Sequence, residues 1–215
     1  FSGGKFYPDY SEAIHVAPSG QLKYNPDLPL FRSFDWGSNP PTRVLWIQVD
    51  SRHPGNPNVM VADEDAVVRV IDEYQCLSPA GSTQAQEVLK YHKDKGYGPV
   101  VRDYCDPAGK SFIAEFNKTG IYPWGRTEAG RRLNVRKEGQ EIIRQKLLSA
   151  TGKSTLIIAP ECPLLRVEFR ACHYPERKQA QPAPEDHVKV DDHGLDALRY
   201  FLAGRFPLQE WQIQE

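Results

Sequence analysis

Three acidic segments, far apart along the chain, hold the residues best suited to chemistry. Asp35 lies within Ser33–Gly37, Asp106 lies within Asp103–Pro107, and a third acidic run spans Asp191–Tyr200. Each falls where a strand or helix is predicted to end or begin. Carboxylates gathered at such points form an oxygen-rich pocket, which suits Mg²⁺ or Mn²⁺. Two such ions, about 3.5–4 Å apart, commonly promote phosphodiester hydrolysis, so the pattern predicts a metal-dependent nuclease with two ions in its active state.

Asp35 is the strongest ligand candidate. Its strand is otherwise apolar, and a buried aspartate is costly unless it is paired or bound to a metal. We expect Asp35 to bridge both ions, the alternative being a cap for the turn at Ser38. We expect Asp106 to hold the second ion, the alternative being an Asp-Pro turn. Asp103 is out of phase with these two residues and is expected to point elsewhere or to support the site.

The third acidic segment offers several donors. Asp192, at the predicted start of a helix, can act as a catalytic metal ligand, as an N-cap, or as both. Asp191 or His193 could share the metal site. Asp196 lies one helical turn further along the same face, where it could bind metal, support the ligands or pair with a basic neighbour. Lys189 could act in catalysis by orienting the attacking water or holding the scissile phosphate, or could be an ordinary loop lysine.

Basic residues between Gly125 and Lys146 form the kind of local patch that a chain of formal net charge −1 needs to grip DNA. The alternative is a solvated helix face with intrahelical ion pairs. The predicted backbone contacts, which would be non-specific and salt-sensitive, are Arg126, Arg131, Arg132, Arg136, Lys137 and Lys178.

Length and composition narrow the class of protein. The 215 residues, 40% of them hydrophobic, are enough for one well-buried core, and a pI near 6.7 argues against a general DNA-coating protein. No apolar run approaches the roughly 20 residues of a membrane span. The four cysteines form no C-x-x-C pair, so we do not expect a zinc site. We expect free, buried thiols, which fit a reducing cytoplasm. The single methionine, Met60, and the start at Phe1 predict a domain excised from a longer protein.

Hydrophobic periodicity and turn residues predict the elements. The predicted strands are Leu30–Trp36, Arg43–Asp50, Val67–Tyr74, Pro99–Cys105, Ile121–Trp124 and Thr155–Ala159. The predicted helices are Thr83–Lys95 (with Thr83 as N-cap), Lys110–Asn117, Arg136–Ser149, Pro163–Cys172 and Asp192–Gly204.

This order of elements predicts an α/β fold. Three antiparallel strands followed by alternating helices and strands give a mixed sheet flanked by helices, and the acidic positions then match an RNase H-like nuclease. We expect a single domain over 1–215, with a leading segment at 1–29 and a mobile loop or ribbon at 175–190. Ser51–Asn58 is expected to be a loop. The acidic stretch Ala62–Tyr74 is expected to be a hairpin edge facing away from DNA.

Four stretches carry a family resemblance, and a few intermediate ones extend it over nearly the whole chain. The four are Gly4–Pro8 with His15, Phe34–Gly37, Tyr104–Ala108, and Lys189 with Asp191–Tyr200. Together they resemble the C-terminal nuclease domain of the large terminase subunit, the DNA-packaging motor of tailed bacteriophages. The third acidic run is the most specific of the four.

The resemblance implies a metal-dependent endonuclease that cuts concatemeric double-stranded DNA with little sequence preference when packaging starts and when it is complete. It also implies several partners: an ATPase domain in the same full-length chain, the portal ring and the small terminase subunit. The implied location is the host cell cytoplasm, transiently at the portal vertex of the procapsid, with no membrane association.

Two G-K-S sequences raise the question of nucleotide binding. Gly109–Ser111 and Gly152–Ser154 both end like a phosphate-binding loop, but Tyr104 and Leu147 occupy the positions where the earlier glycine is required. We therefore expect no ATPase activity from this chain.

Two alternatives to a terminase nuclease remain open. One is another RNase H-like enzyme, such as a junction resolvase or a transposase core, which would cut a preferred structure or sequence. The other is a module that mainly docks onto the portal ring or the ATPase domain, using the acidic Asp63–Glu73 surface and Trp211.

Overall fold

A mixed β-sheet forms the centre of the fold in the computed structural model, which describes residues 4–38, 41–127, 130–131, 133, 136–176, 186–188 and 191–208. Within those residues the strands are β1 (Leu30–Ser38), β2 (Pro41–Asp50), β3 (Arg52–His53), β4 (Asn56–Met60), β5 (Val67–Gln75), β6 (Val100–Cys105), β7 (Pro123–Trp124) and β8 (Leu156–Ile158). Six of them form the main sheet in the order β7-β6-β1-β2-β5-β8, and β3 pairs only with β4.

Strand directions agree with the predicted topology. The first three strands of the main sheet, β1, β2 and β5, pair antiparallel as a meander. The later strands join in parallel: β6 beside β1, β7 beside β6, and β8 beside β5. Because β1 and β6 are parallel, their carboxyl ends lie at the same edge of the sheet. That edge receives both Asp35 and Asp106.

Helices cover both faces of this sheet. Those in the described residues are α1 (Glu12–His15), α2 (Gly81–Asp94), α3 (Lys110–Asn117), α4 (Arg136–Leu147), α5 (Pro163–Ala171) and α6 (His193–Arg205). The central strand β2 shows the result, since Val44, Leu45, Trp46 and Ile47 are consecutive and all fully buried. Continuous burial of this kind is typical of a strand that is covered on both faces.

Alternation along β1 assigns its side chains to the two helical layers. Ser33 faces α6, because its Oγ donates a hydrogen bond to Ala197 O at 2.6 Å. Phe34 faces the opposite layer, where its ring centroid lies 5.3 Å from that of Phe116 in α3. Asp35, one residue further, therefore returns to the α6 side.

The acidic stretch Ala62–Tyr74 is not a hairpin edge, so that prediction is wrong. Only residues 63–65 form an exposed acidic loop, and β5 lies inside the sheet between β2 and β8. Asp72 is buried, and its Oδ2 accepts hydrogen bonds from Tyr91 and Tyr97 at 2.9 and 2.8 Å while Lys95 Nζ lies at 2.7 Å. Asp72 therefore holds α2 and the segment after it against the sheet.

Two local predictions also need correction. The segment Ser51–Asn58 is not a loop throughout, because β3 and β4 form a hairpin there. Helix α2 begins at Gly81 after Ala80, so Thr83 lies inside its first turn and is not the N-cap. The predicted loop 175–190 falls mainly outside the described residues.

All four cysteines are buried and form no disulfide. In the part of the chain that the structure describes, every helix is too short or too polar to cross a lipid bilayer.

His92, in the last turn of α2, is held in one tautomer between Trp46 of β2 and the segment that follows the helix. Trp46 Nε1 donates to His92 Nδ1 at 3.1 Å, so Nδ1 carries no proton. His92 Nε2 lies 3.0 Å from Gly98 O and must supply the hydrogen there. Burial lowers the pKa of His92, and the charge of Arg32 lowers it further. A second proton on the ring would break the bond from Trp46.

We predict that this imidazole makes the fold less stable in mild acid. Since the pKa of His92 is lower in the folded than in the unfolded chain, the unfolded chain takes up more protons as the pH falls through the ordinary histidine range near about 6.5. The free energy of unfolding should therefore decrease from neutral pH toward the folded-state pKa. Urea titrations at several pH values, with His92→Gln as the comparison, measure this. A stability difference between wild type and His92→Gln that does not change with pH would contradict the assignment.

Candidate active site

Asp35 is the centre of the candidate site. It lies near the carboxyl end of β1, is 8% exposed and has Arg43 of β2 as its cross-strand partner. The pairing of β1 with β2 shifts register between Asp35 and Ser38, so the strand is irregular directly beyond the carboxylate. Such irregularities re-aim side chains at the rim of a sheet.

His193 is the nearest partner of this carboxylate. It is the first residue of α6, and its Nδ1 lies 2.7 Å from Asp35 Oδ2. Burial raises the pKa of Asp35; the bond to His193 opposes the rise, and the charges of Asp196 and Asp106 add to it. The hydrogen bond to Asp35 in turn raises the pKa of His193. The charges of two further carboxylates thus act on Asp35, which is bonded to one imidazole.

Asp106 forms the turn that is the alternative to its predicted metal-binding role. It follows β6, and its Oδ1 accepts a hydrogen bond from Ala108 N at 2.8 Å, which is the turn arrangement. Its charge nevertheless acts on Asp35. Trp36 fixes the loop, since its Nε1 donates to Asp106 O at 2.9 Å. A Cβ on Gly109 would lie only 2.0 Å from the Trp36 ring, so this close approach requires glycine.

Asp192 and Asp191 are placed differently from the rest of the third acidic segment. Asp192 precedes α6 and is 8% exposed, yet its side chain does not cap the helix. Its Oδ2 lies 2.8 Å from Nε2 of His187. Asp191 is exposed and has a positive φ of 46°.

Asp196 lies on α6 one turn after Asp192 and is paired with Arg199. The Nε and Nη2 atoms of Arg199 lie 3.0 and 2.9 Å from its Oδ1. Its charge also acts on Asp35, so Asp196 belongs to the electrostatic environment of the site. Asp103 points to the opposite face, where it pairs with Arg32 at 2.6 Å.

His187 is a site residue that sequence reasoning missed. Its ring lies between two carboxylates, with Nδ1 2.9 Å from Asp186 and Nε2 2.8 Å from Asp192. Asp186 is tied to α4 by Arg136 at 2.7 Å and Gln140 at 2.9 Å, and these bonds outweigh burial and hold the pKa of Asp186 at about 2. The only sequence signal was an Asp-His pair shortly before Asp192, within a segment expected to be a loop.

The predicted DNA contacts differ in how strongly they are engaged within the protein. Arg131 pairs with Glu138 at 3.1 Å, and Arg136 pairs with Asp186. Arg126 Nη1 donates a hydrogen bond to Gly130 O at 3.5 Å, and Lys137 is exposed on α4. Arg132, Lys178 and Lys189 lie outside the described residues.

The donor set suits a divalent cation by type and charge. Among the described residues, no group of three or more His, Cys, Asp or Glu side chains is already arranged to hold a metal. The side chains are instead turned to partners within the protein. The carboxylate of Asp35, however, is buried, is repelled by two others and is balanced by one imidazole. Added positive charge would relieve that imbalance, and oxygen donors with one histidine are suitable ligands for Mg²⁺ or Mn²⁺.

Comparison with known proteins identifies the fold. No protein-family profile matches the sequence, and no curated protein is similar to it. Among solved structures, the large terminase of a thermophilic bacteriophage superposes with a TM-score of 0.69 at 20% identity, over 94% of this chain and 44% of that one. The chain thus spans under half the length of that protein.

Two nuclease domains superpose over nearly their whole length. That of the bacteriophage P22 large terminase has a TM-score of 0.68 at 15% identity, covering 100% of this chain and 99% of the other. That of the SPP1 large terminase, solved with bound Mn, has a TM-score of 0.56 at 16% identity, covering 89% and 96%. At such identities the likeness establishes the fold. The α/β prediction of a mixed sheet flanked by helices, RNase H-like as in terminase nuclease domains, is confirmed.

We predict that Asp35→Asn stabilises the metal-free protein. The substitution removes a buried charge that two carboxylates repel, while an amide can still hydrogen-bond to His193. The melting temperature in EDTA, measured by calorimetry, should rise by about 2–4 °C for each ~1 kcal/mol gained in the free energy of unfolding. MnCl₂ should then raise the melting temperature of the wild type but not that of the variant. A lower melting temperature for Asp35→Asn in EDTA would mean that the bond to His193 outweighs the repulsion.

Proposed function

We propose that this chain is a metal-dependent endonuclease acting on double-stranded DNA, as the nuclease part of a bacteriophage large terminase. The observation that carries the proposal is the contact of Asp35 with His193, at the sheet edge where the charges of Asp106 and Asp196 also act. The shared fold with terminase nuclease domains supports it, and the Mn bound in the SPP1 domain supports a divalent cation.

In this proposal the ligands are Asp35, Asp106, His193 and Asp196, and they take up two Mg²⁺ or Mn²⁺ ions. Bound divalent cations supply charge neutralisation at the scissile phosphate and make water acidic enough to act as a nucleophile near neutral pH. Asp192 is buried against His187, so we assign it first to anchoring His187 beside the site and second to ligation. Asp191 is exposed and is the weakest of the candidates.

The chain's own residues position the reacting groups. Asp35 is fixed by its strand, Asp106 by the bond from Trp36, and His193 by the helix start. Asp35 and Asp106 lie at or just after the carboxyl ends of β1 and β6, and these ends are side by side because the two strands are parallel. Preorganisation of this kind lowers the cost of assembling the site when DNA arrives.

DNA contacts in the proposal are made to the backbone and are therefore non-specific. Arg126 is the first candidate, because Arg131 and Arg136 are already engaged with carboxylates. Lys137 stays in the proposal for its charge and its exposed position on α4. Arg132, Lys178 and Lys189 stay in the proposal on sequence grounds alone. From the terminase resemblance we also propose that the chain cuts concatemers at the start and completion of packaging. The same resemblance suggests three partners: the ATPase domain, the portal ring and the small terminase subunit. It also suggests a location in the host cytoplasm and at the portal vertex.

Supercoiled-plasmid cleavage tests the proposal. MnCl₂ or MgCl₂ should yield nicked and then linear DNA at low salt, whereas CaCl₂ or EDTA should not. Asp35→Asn should lower the rate at least about 100-fold, because it removes charge that binds the ions. Asp50→Asn is the matched control: this aspartate lies at the opposite end of the sheet, paired with Arg52, and its loss should change the rate less than about twofold.

Other outcomes separate the alternatives. An intact plasmid with every metal would argue against independent catalysis and for a docking module. Cleavage that survives Asp35→Asn would show that the site is elsewhere. A strong preference for branched DNA over linear duplex would indicate a junction resolvase.

A further inference from the structure

The start of α6 is held by a carboxylate from a different helix. Although Asp192 occupies the N-cap position, its side chain makes no capping bond. Glu168 of α5 takes that role: its Oε2 accepts a hydrogen bond from Leu195 N at 2.8 Å, and the backbone of Gly194 also hydrogen-bonds to the carboxylate. Glu168 is 6% exposed, so a buried carboxyl group lies at the positive end of the helix dipole, and burial raises its pKa to about 7.

Gly194 allows this approach. A Cβ at this position would lie 2.8 Å from Glu168 Oε2 and 3.3 Å from its carboxyl carbon. Any larger residue would therefore push the carboxylate away from the helix or the helix away from the sheet. The glycine in the third acidic segment thus has a packing reason that is specific to Glu168.

Arg43 connects Glu168 to the strand pair that carries Asp35. Its Nη2 lies 3.4 Å from Glu168 Oε1, and both side chains are buried. Arg43 is also the cross-strand partner of Asp35 in β1 and β2. The contacts therefore close a ring: from Asp35 across to Arg43, on to Glu168, into the first turn of α6, and back to Asp35 through His193.

We propose that Glu168 is a positioning residue for the metal site, setting the first turn of α6, with His193 and Asp196, against the strand that carries Asp35. This rests on the proposed function. Glu168 touches neither substrate nor cation in the proposal; it acts through the backbone of Gly194 and Leu195.

Glu73 provides a matched control within the same network. It is as buried as Glu168, pairs with the same Arg43 at 3.4 Å and caps a helix in the same way. Its oxygens accept hydrogen bonds from Leu164 N and Leu165 N at 2.6 and 2.9 Å, at the start of α5. The first turn of α5 holds none of the proposed ligands. Loss of either carboxylate should lower stability similarly, but only the loss of Glu168 should disturb the site.

The experiment compares Glu168→Gln with Glu73→Gln in the 215-residue chain. Calorimetric titration with MnCl₂ should show a dissociation constant raised about 10–100-fold by Glu168→Gln, the usual effect of losing an outer partner of a metal site. Glu73→Gln should stay within about threefold of the wild type. In EDTA, the imidazole nitrogen signals of His193, followed by NMR, should move in Glu168→Gln and not in Glu73→Gln.

Several results would overturn the proposal. A folded Glu168→Gln with wild-type Mn²⁺ affinity and unchanged His193 signals would do so. Equal weakening by both variants would too, because it would indicate a general loss of stability. If the wild type binds no Mn²⁺, the proposed function fails, and the His193 signals alone decide the positioning role.

Gly194→Ala decides the question if Glu168→Gln does not fold. It keeps the carboxylate but crowds it, and alanine favours the helical conformation more than glycine does. We expect weaker Mn²⁺ binding and shifted His193 signals without a lower melting temperature. Unchanged binding and unchanged signals in Gly194→Ala would reject the proposal.

Discussion

Burying a carboxylate with incomplete compensation is the constraint around which this structure is arranged. Asp103, on the strand next to Asp35, shows the compensated case, with Arg32 bonded to both of its oxygens at 2.6 and 3.1 Å. Asp35 has one imidazole at 2.7 Å and is repelled by two further carboxylates. Stability alone would not favour such an imbalance, but binding of a cation would use it. The surrounding strands and helix ends hold the charges together despite their repulsion.

Much of the fold could be predicted because it depends on local patterns. Turn residues separate alternating or continuous apolar runs, and these alone indicated the β1, β2 and β5 meander and the later helices. The candidate site was partly predictable for the same reason. A carboxylate at the end of an apolar strand, such as Asp35, is unusual enough to be recognised as a candidate from the sequence. Parallel pairing of β1 with β6 brings Asp106 to the same edge of the sheet.

The features of the fold and the site that could not be predicted depend on partners that are distant in sequence. Asp72 and Glu73 read as a solvated acidic edge because the tyrosines, lysine and helix ends that bury them come from other segments. Likewise, Asp192 at a helix start predicts a cap by every local rule. The structure turns its side chain to His187 and gives the capping role to Glu168, which no spacing rule connects to α6. Exposed, proline- and glycine-containing residues 51–58 form a hairpin despite a composition typical of loops.

Chain order has a consequence for when the site can exist. Asp35 and His193 are separated by 158 positions, and the helix that carries His193 is the last one in the described residues. During synthesis the early strands leave the ribosome first and can begin to associate while α6 is still untranslated. A nascent chain at that stage contains Asp35 but not its imidazole partner or Asp196. The pairing of Asp35 with His193 is therefore completed late, after the sheet that carries Asp35 has begun to form.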